Sequence, residues 1–131
     1  MAIGSWDPQG SRSSAIDAAA LARFAELSEL ELLDDLSQHL SAELLGALPG
    51  LMQQESEHWS ESLSEHSDSD LLHLLRFFTV AENLPGCESA EKSPVIPCAK
   101  ILRQRGQRID KELLQWIRQV SKNRYLPYGP L

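Results

Sequence analysis

The chain has 131 residues, a size that suits one domain and buries enough apolar surface to fold without a disulfide or a metal. No apolar run approaches the ~18 residues a membrane span needs; the longest, Leu71–Ala81, is interrupted by His73 and Arg76. Net charge is −7 but unevenly spread: residues 1–91 carry three basic and seventeen acidic groups, net −14, and residues 92–131 carry nine basic and two acidic groups, net +7.

Residues 1–14 (MAIGSWDPQGSRSS) are rich in Gly, Ser and Pro, show no hydrophobic period and predict a disordered leader. They have neither a basic start nor an apolar stretch, unlike a secretory signal, so a cytoplasmic protein is expected. Residues 15–131 are expected to form a single helical domain. Ser14 and Asp17 suit a helix start, the hydroxyl capping free amides and the carboxylate favoured by the helix dipole.

An alanine-rich first helix is predicted over Ile16–Ala25. Leucines at 27, 30, 33, 36, 40, 44 and 48 continue at helical spacing, with Glu26, Glu29, Glu31, Asp34 and Asp35 between them, mostly solvated. Ser41 suits a cap for a helix restart, and Gly46 with Pro49 and Gly50 predicts the end of this stretch. Over Leu51–Glu65 only Leu51, Met52, Glu55, Trp59 and Leu63 recur near every fourth residue, which predicts a surface helix burying a narrow stripe.

The polar tract 64–70 ends in a cap for Leu71–Ala81 (LLHLLRFFTVA), in which eight of eleven residues are apolar and surround the helix. A helix apolar on all sides belongs at the centre of a bundle, so Leu74, Leu75, Phe77 and Phe78 are expected to be buried. Leu84, Pro85 and Gly86 terminate it, and 87–93 reads as a loop. Pro94 and Pro97 are tolerated near the start of a helix that runs to about Arg105 and stops at Gly106. Asp110 caps a last helix over Lys111–Ser121, with Leu113, Trp116, Ile117 and Val120 inward. Strand-like alternation and internal repeats are absent from the sequence. The expected fold is all-α: a compact bundle of five or six short helices around a central apolar helix at about 70–82.

Catalytic and metal-binding patterns are weak. Glu55-x-x-His58 and Asp70-x-x-His73 have the i, i+3 spacing of a di-iron bundle ligand pair, but the further inward carboxylates such a site needs are missing. His73 reads instead as a buried histidine bonded to backbone. Glu55, Glu57, Glu61 and Glu65 read as the solvated face of a helix. No nucleophile elbow or Gly-rich phosphate loop is present. Cys87 and Cys98, with ten residues between them, form neither a redox pair nor a zinc knuckle and are expected as reduced, partly buried thiols. No cofactor, metal or catalytic residue is therefore expected.

The basic last third carries the candidate site. Lys111, Gln115, Arg118 and Lys122 are spaced four, three and four apart and share one helix face; Lys100, Arg103 and Gln107 make a similar stripe before them. Arg105, Arg108 and Arg124 flank the turn and the tail. This face either complements the acidic N-terminal helices, bringing Lys100, Arg103, Arg118 and Lys122 close to acids of residues 26–70, or looks outward to an anionic partner. A helix-turn-helix reading centred on Gly106 fails, because Glu112 and Gln115 fall where that motif is normally apolar.

The tail from Asn123 (NRYLPYGPL) is apolar for a chain end and, with two prolines, non-helical; Tyr125 and Tyr128 are expected either to pack back on the bundle or to form a partner-binding lip. The expected function is a non-catalytic helical module that binds another protein through the basic face and aromatic tail. The alternative is a nucleic-acid-binding regulator using residues 100–124, and a metal-binding or enzymatic protein comes third.

Overall fold

The computed structural model describes residues 18–123, the side chains of Ser56 and Glu91 excepted. The leader, the proposed start at Ser14 and Asp17, and Arg124, Tyr125 and Tyr128 lie outside the described residues.

Within that span the fold is all-α, with seven α-helices among the described residues: Ala18–Glu29 (α1), Leu36–His39 (α2), Ala42–Leu51 (α3), Ser56–Leu63 (α4), Asp68–Ala81 (α5), Val95–Gln104 (α6) and Lys111–Val120 (α7). Two 3₁₀ turns, Leu33–Asp35 and Ala90–Lys92, sit between them. None of the described helices is long and apolar enough to cross a membrane.

Local chemistry sets several boundaries. The hydroxyls of Ser41 and Ser67 and the carboxylate of Asp110 each accept from an amide three residues on, Leu44 at 3.1 Å, Asp70 at 3.1 Å and Leu113 at 2.8 Å. Each satisfies a donor that the first helical turn leaves without a partner. Gly106, at φ +81°, ends α6 in the left-handed conformation. The Gln107 amide reaches back to Leu102 O at 2.8 Å and the Gly106 amide to Arg103 O at 3.0 Å. That paired closure is a Schellman motif, which favours glycine at its left-handed position.

The leucine-rich stretch is broken where the spacing predicts continuity. α1 closes with the same motif, Leu32 N to Leu27 O at 2.9 Å and Glu31 N to Ser28 O at 3.0 Å, but Glu31 occupies the left-handed position at φ +60°. The chain then turns through the 3₁₀ segment so that Leu36 and Leu40 reach the core. A left-handed L-residue costs about 1–2 kcal/mol, against a smaller entropy cost for glycine. Glu31→Gly should therefore raise stability by about 0.5–1 kcal/mol, read as a higher urea midpoint at unchanged slope.

Two further boundaries differ from expectation. α3 runs through Gly46, Pro49 and Gly50, which together predict its end, as far as Leu51, because Leu48 and Met52 are both fully buried and anchor its last turn. Proline there forfeits one backbone bond late in the helix, a cost that burial of two large side chains offsets. The segment predicted as one surface helix is split: Leu51 and Met52 belong to the end of α3, Glu55 is exposed at the start of α4, and Trp59 and Leu63 are core residues.

α5 is the central element. It packs against α1, α6, α7 and the first 3₁₀ turn, while α4 packs on α6. Leu71, Leu74, Leu75, Phe77, Phe78 and Ala81 are all fully buried. Phe24 of α1 stacks on Phe77 with ring centroids 4.1 Å apart, and Phe78 meets Phe77 at 5.5 Å and Trp59 at 5.0 Å edge to face. Thr79 within this apolar helix donates its hydroxyl to Leu75 O at 2.8 Å, so its polarity is satisfied locally. Cys87 and Cys98 are free and buried. Burial pushes both thiols up, with Glu88 adding to the effect at Cys87, so neither is an activated nucleophile.

Candidate interaction surface

The basic candidate residues lie on two amphipathic helices and the turn between them. α6 turns Val95, Pro97, Cys98, Ala99, Ile101 and Leu102 inward, leaving Lys100 and Arg103 exposed. α7 buries Leu113 and Ile117, half-buries Leu114, Trp116 and Val120, and exposes Lys111, Gln115 and Arg118. The Arg76 guanidinium of α5 lies 5.4 Å from the Trp116 ring centroid, which fastens α7 to the central helix by a cation–π contact.

Between the helices, Gly106 reverses the chain and Asp110 starts α7, so residues 105–110 form a short connector. Arg103, Gly106, Gln107, Arg108 and Ile109 line an open groove of about 450 Å³ there. Arg103 and Arg108 are exposed and Ile109 is half-buried. Among the described residues the side chains of Arg103 and Arg108 have no ion-pair or hydrogen-bond partner, and the amides of Arg108 and Ile109 are unpaired.

The predicted site residues separate into two groups. Lys100, Arg103, Arg108, Lys111, Gln115, Arg118 and Lys122 are all exposed. Arg105 is different. Its guanidinium donates to Ser64 O at 2.7 Å, His66 O at 2.8 Å and Asp68 Oδ1 at 2.9 Å, stapling the end of α6 to the loop between α4 and α5. Three of its five N–H donors are thus used within the fold, which gives Arg105 a structural role although the residue stays exposed.

Charge complementarity within the fold is local. Arg105–Asp68 and Lys92–Glu55, at 2.9 and 3.1 Å, join the basic and acidic parts of the chain. The expected closeness of Lys100, Arg103 and Lys122 to acids of residues 26–70 is not found as an ion pair among the described residues. Partly exposed pairs of this kind contribute at most about 1 kcal/mol each.

The histidine motifs are committed elsewhere. His58 Nδ1 meets Gln54 Oε1 at 3.0 Å, Glu55 pairs with Lys92, and His66 lies 3.7 Å from Asp70. His73 is half-buried and bonds the Ser28 hydroxyl of α1 at 3.0 Å rather than backbone. A side-chain partner 45 positions away is invisible to local spacing. Among the described residues no His, Cys, Asp and Glu cluster is arranged to hold a metal ion. Glu55, Glu57, Glu61 and Glu65 are exposed, as expected.

One polar constellation escaped the sequence reading. Glu82, just past α5, is buried, and its carboxylate accepts from the Ser93 hydroxyl and from Asn123 Nδ2, the latter at 2.7 Å. Asn123 Nδ2 also donates to Ala90 O at 2.8 Å. Beside it, Asn83 donates to Val120 O at 2.8 Å and accepts from the Lys122 amide at 3.3 Å. Consecutive residues thus pin the chain where α7 ends. Desolvation raises the Glu82 pKa from its ordinary value, and the bonds from Ser93 and Asn123 oppose that rise. A Glu after an apolar helix reads as a solvated cap, so nothing in the sequence marks it.

Neither family models nor curated proteins nor solved structures match this chain.

Proposed function

We propose that this protein is a non-catalytic helical module that binds another protein through the basic face of α6, the connector and α7. The observation that carries the reading is the outward set of Lys100, Arg103, Arg108 and Lys111, exposed on a chain whose acidic residues lie mostly elsewhere. Such a patch steers an oppositely charged partner and sets orientation more than raw affinity. A cytoplasmic setting belongs to the same reading, supported by two free, buried thiols. Tyr125 and Tyr128 are assigned to the same binding role on sequence grounds.

The second reading, a nucleic-acid-binding regulator, draws on the same cations: α6 and α7 are two ten-residue helices joined by a short connector. Affinity purification of the full chain from its native cells tests both. The expected result is a stoichiometric protein partner that survives nuclease treatment and is lost with a Lys100→Gln, Arg103→Gln, Arg108→Gln, Lys111→Gln variant of unchanged melting temperature. Retention of nucleic acid with a steep salt dependence would replace the first reading by the second.

A further inference from the structure

We infer that the groove at the connector from α6 to α7 is a docking site for a short, extended acidic peptide segment of a partner protein, which rests on the protein-binding reading above. Arg103 and Arg108 both line one groove, five residues apart in sequence across the Gly106 reversal. Guanidinium forks match carboxylates with two parallel bonds, and this match is the charge complementarity that selects the occupant. The unpaired amides of Arg108 and Ile109 add backbone donors on the same connector. Extended peptides exploit such main-chain donors together with side-chain contacts.

The groove is not purely electrostatic. Ile109 gives it a half-buried apolar wall and Gln107 an amide that pairs with a peptide group. A volume of about 450 Å³ lies within the usual range of ligand clefts. The recognised pattern is therefore an apolar residue seated on Ile109 with carboxylates on either side.

Two observations favour a peptide over a nucleic acid strand. Strand binding without base readout relies on exposed aromatic platforms; among the described residues Trp59, Phe24, Phe77 and Phe78 are buried and Trp116 is half-buried beside Arg76. Net −14 over residues 1–91 also repels a long polyanion, while a short segment meets only the connector.

The test uses the full ¹⁵N-labelled chain and three probes. These are the blocked eight-residue peptide EDLEDLED, its neutral counterpart QNLQNLQN, and a twelve-nucleotide oligothymidylate. The acidic peptide should shift the amides of residues 103–109 saturably at millimolar concentration or below, and the neutral peptide should not. An Arg103→Gln, Arg108→Gln variant should lose about tenfold or more in affinity at unchanged melting temperature, while Arg23→Gln leaves binding intact.

Absence of saturable shifts, shifts mapping elsewhere, or full binding by the double variant would overturn the inference. So would displacement of the peptide by the oligonucleotide, or concentration-dependent shifts at 103–109 without any probe, which would assign the groove to a second copy. If a native protein partner is retained by the double variant, the groove assignment fails and the protein-binding reading stands. If no protein partner exists, that reading fails on its own.

Discussion

Truncating Phe78 to Ala should destabilise the protein by about 3–5 kcal/mol, the cost of emptying a fully buried aromatic site. Phe78 touches the rings of Phe24, Phe77 and Trp59, so its removal disturbs α1, α4 and α5 together. Of the typical net stability of about 5–15 kcal/mol, that is a large share. A urea melt followed by far-ultraviolet circular dichroism measures it, and a loss below about 1 kcal/mol would show that the cluster is not the centre of the core. Phe77→Ala should behave alike. The buried Trp59 indole N–H has no hydrogen-bond partner among the described residues, so Trp59→Phe should cost less than either truncation.

The second large effect is expected at Glu82. Replacing it by Ala leaves the Ser93 hydroxyl and one Asn123 donor without their acceptor, at about 1–3 kcal/mol for each unsatisfied group. Glu82→Gln separates charge from shape, since a Gln oxygen still accepts from Asn123 and its amide can donate to the Ser93 oxygen. The sign of the pH dependence follows from the raised pKa. The folded state holds the Glu82 proton more tightly than the unfolded state does. This contribution is therefore fully present below the ordinary carboxylate pKa and is lost as pH rises through the folded value. Wild type should thus lose stability relative to Glu82→Gln between mildly acidic and neutral pH. A difference between the two that stays flat across that range would show that Glu82 is solvated and not buried.

Much of the architecture is legible in the residue order because it depends on neighbours a few positions apart. Eight of the eleven residues of Leu71–Ala81 are apolar, and that helix is the centre of the fold, with Leu72, His73, Arg76 and Val80 partly exposed. Ser41 and Asp110 cap as their chemistry requires, and Gly106 stops α6 because a left-handed residue is needed there. The exposed cations of α6 and α7 follow from the same helical period that turns Leu102, Leu113 and Ile117 inward.

What local pattern does not contain is which distant groups meet. Glu31 accepts a conformation suited to glycine because the break it creates brings Leu36 and Leu40 into the core. Pro49 stays inside a helix because Leu48 and Met52 are buried on either side of it. Arg105 is indistinguishable in sequence from Arg103 and Arg108. It becomes a staple because the end of α6 lies against residues 64–68, some 40 positions earlier, while the Gly106 reversal leaves the other two on an open groove. Glu82 is buried and not solvated because Ser93 and Asn123 arrive from later segments with the donors it needs. In each case the energy of a residue depends on partners that only packing brings within reach, and there the local rules give way to tertiary contacts.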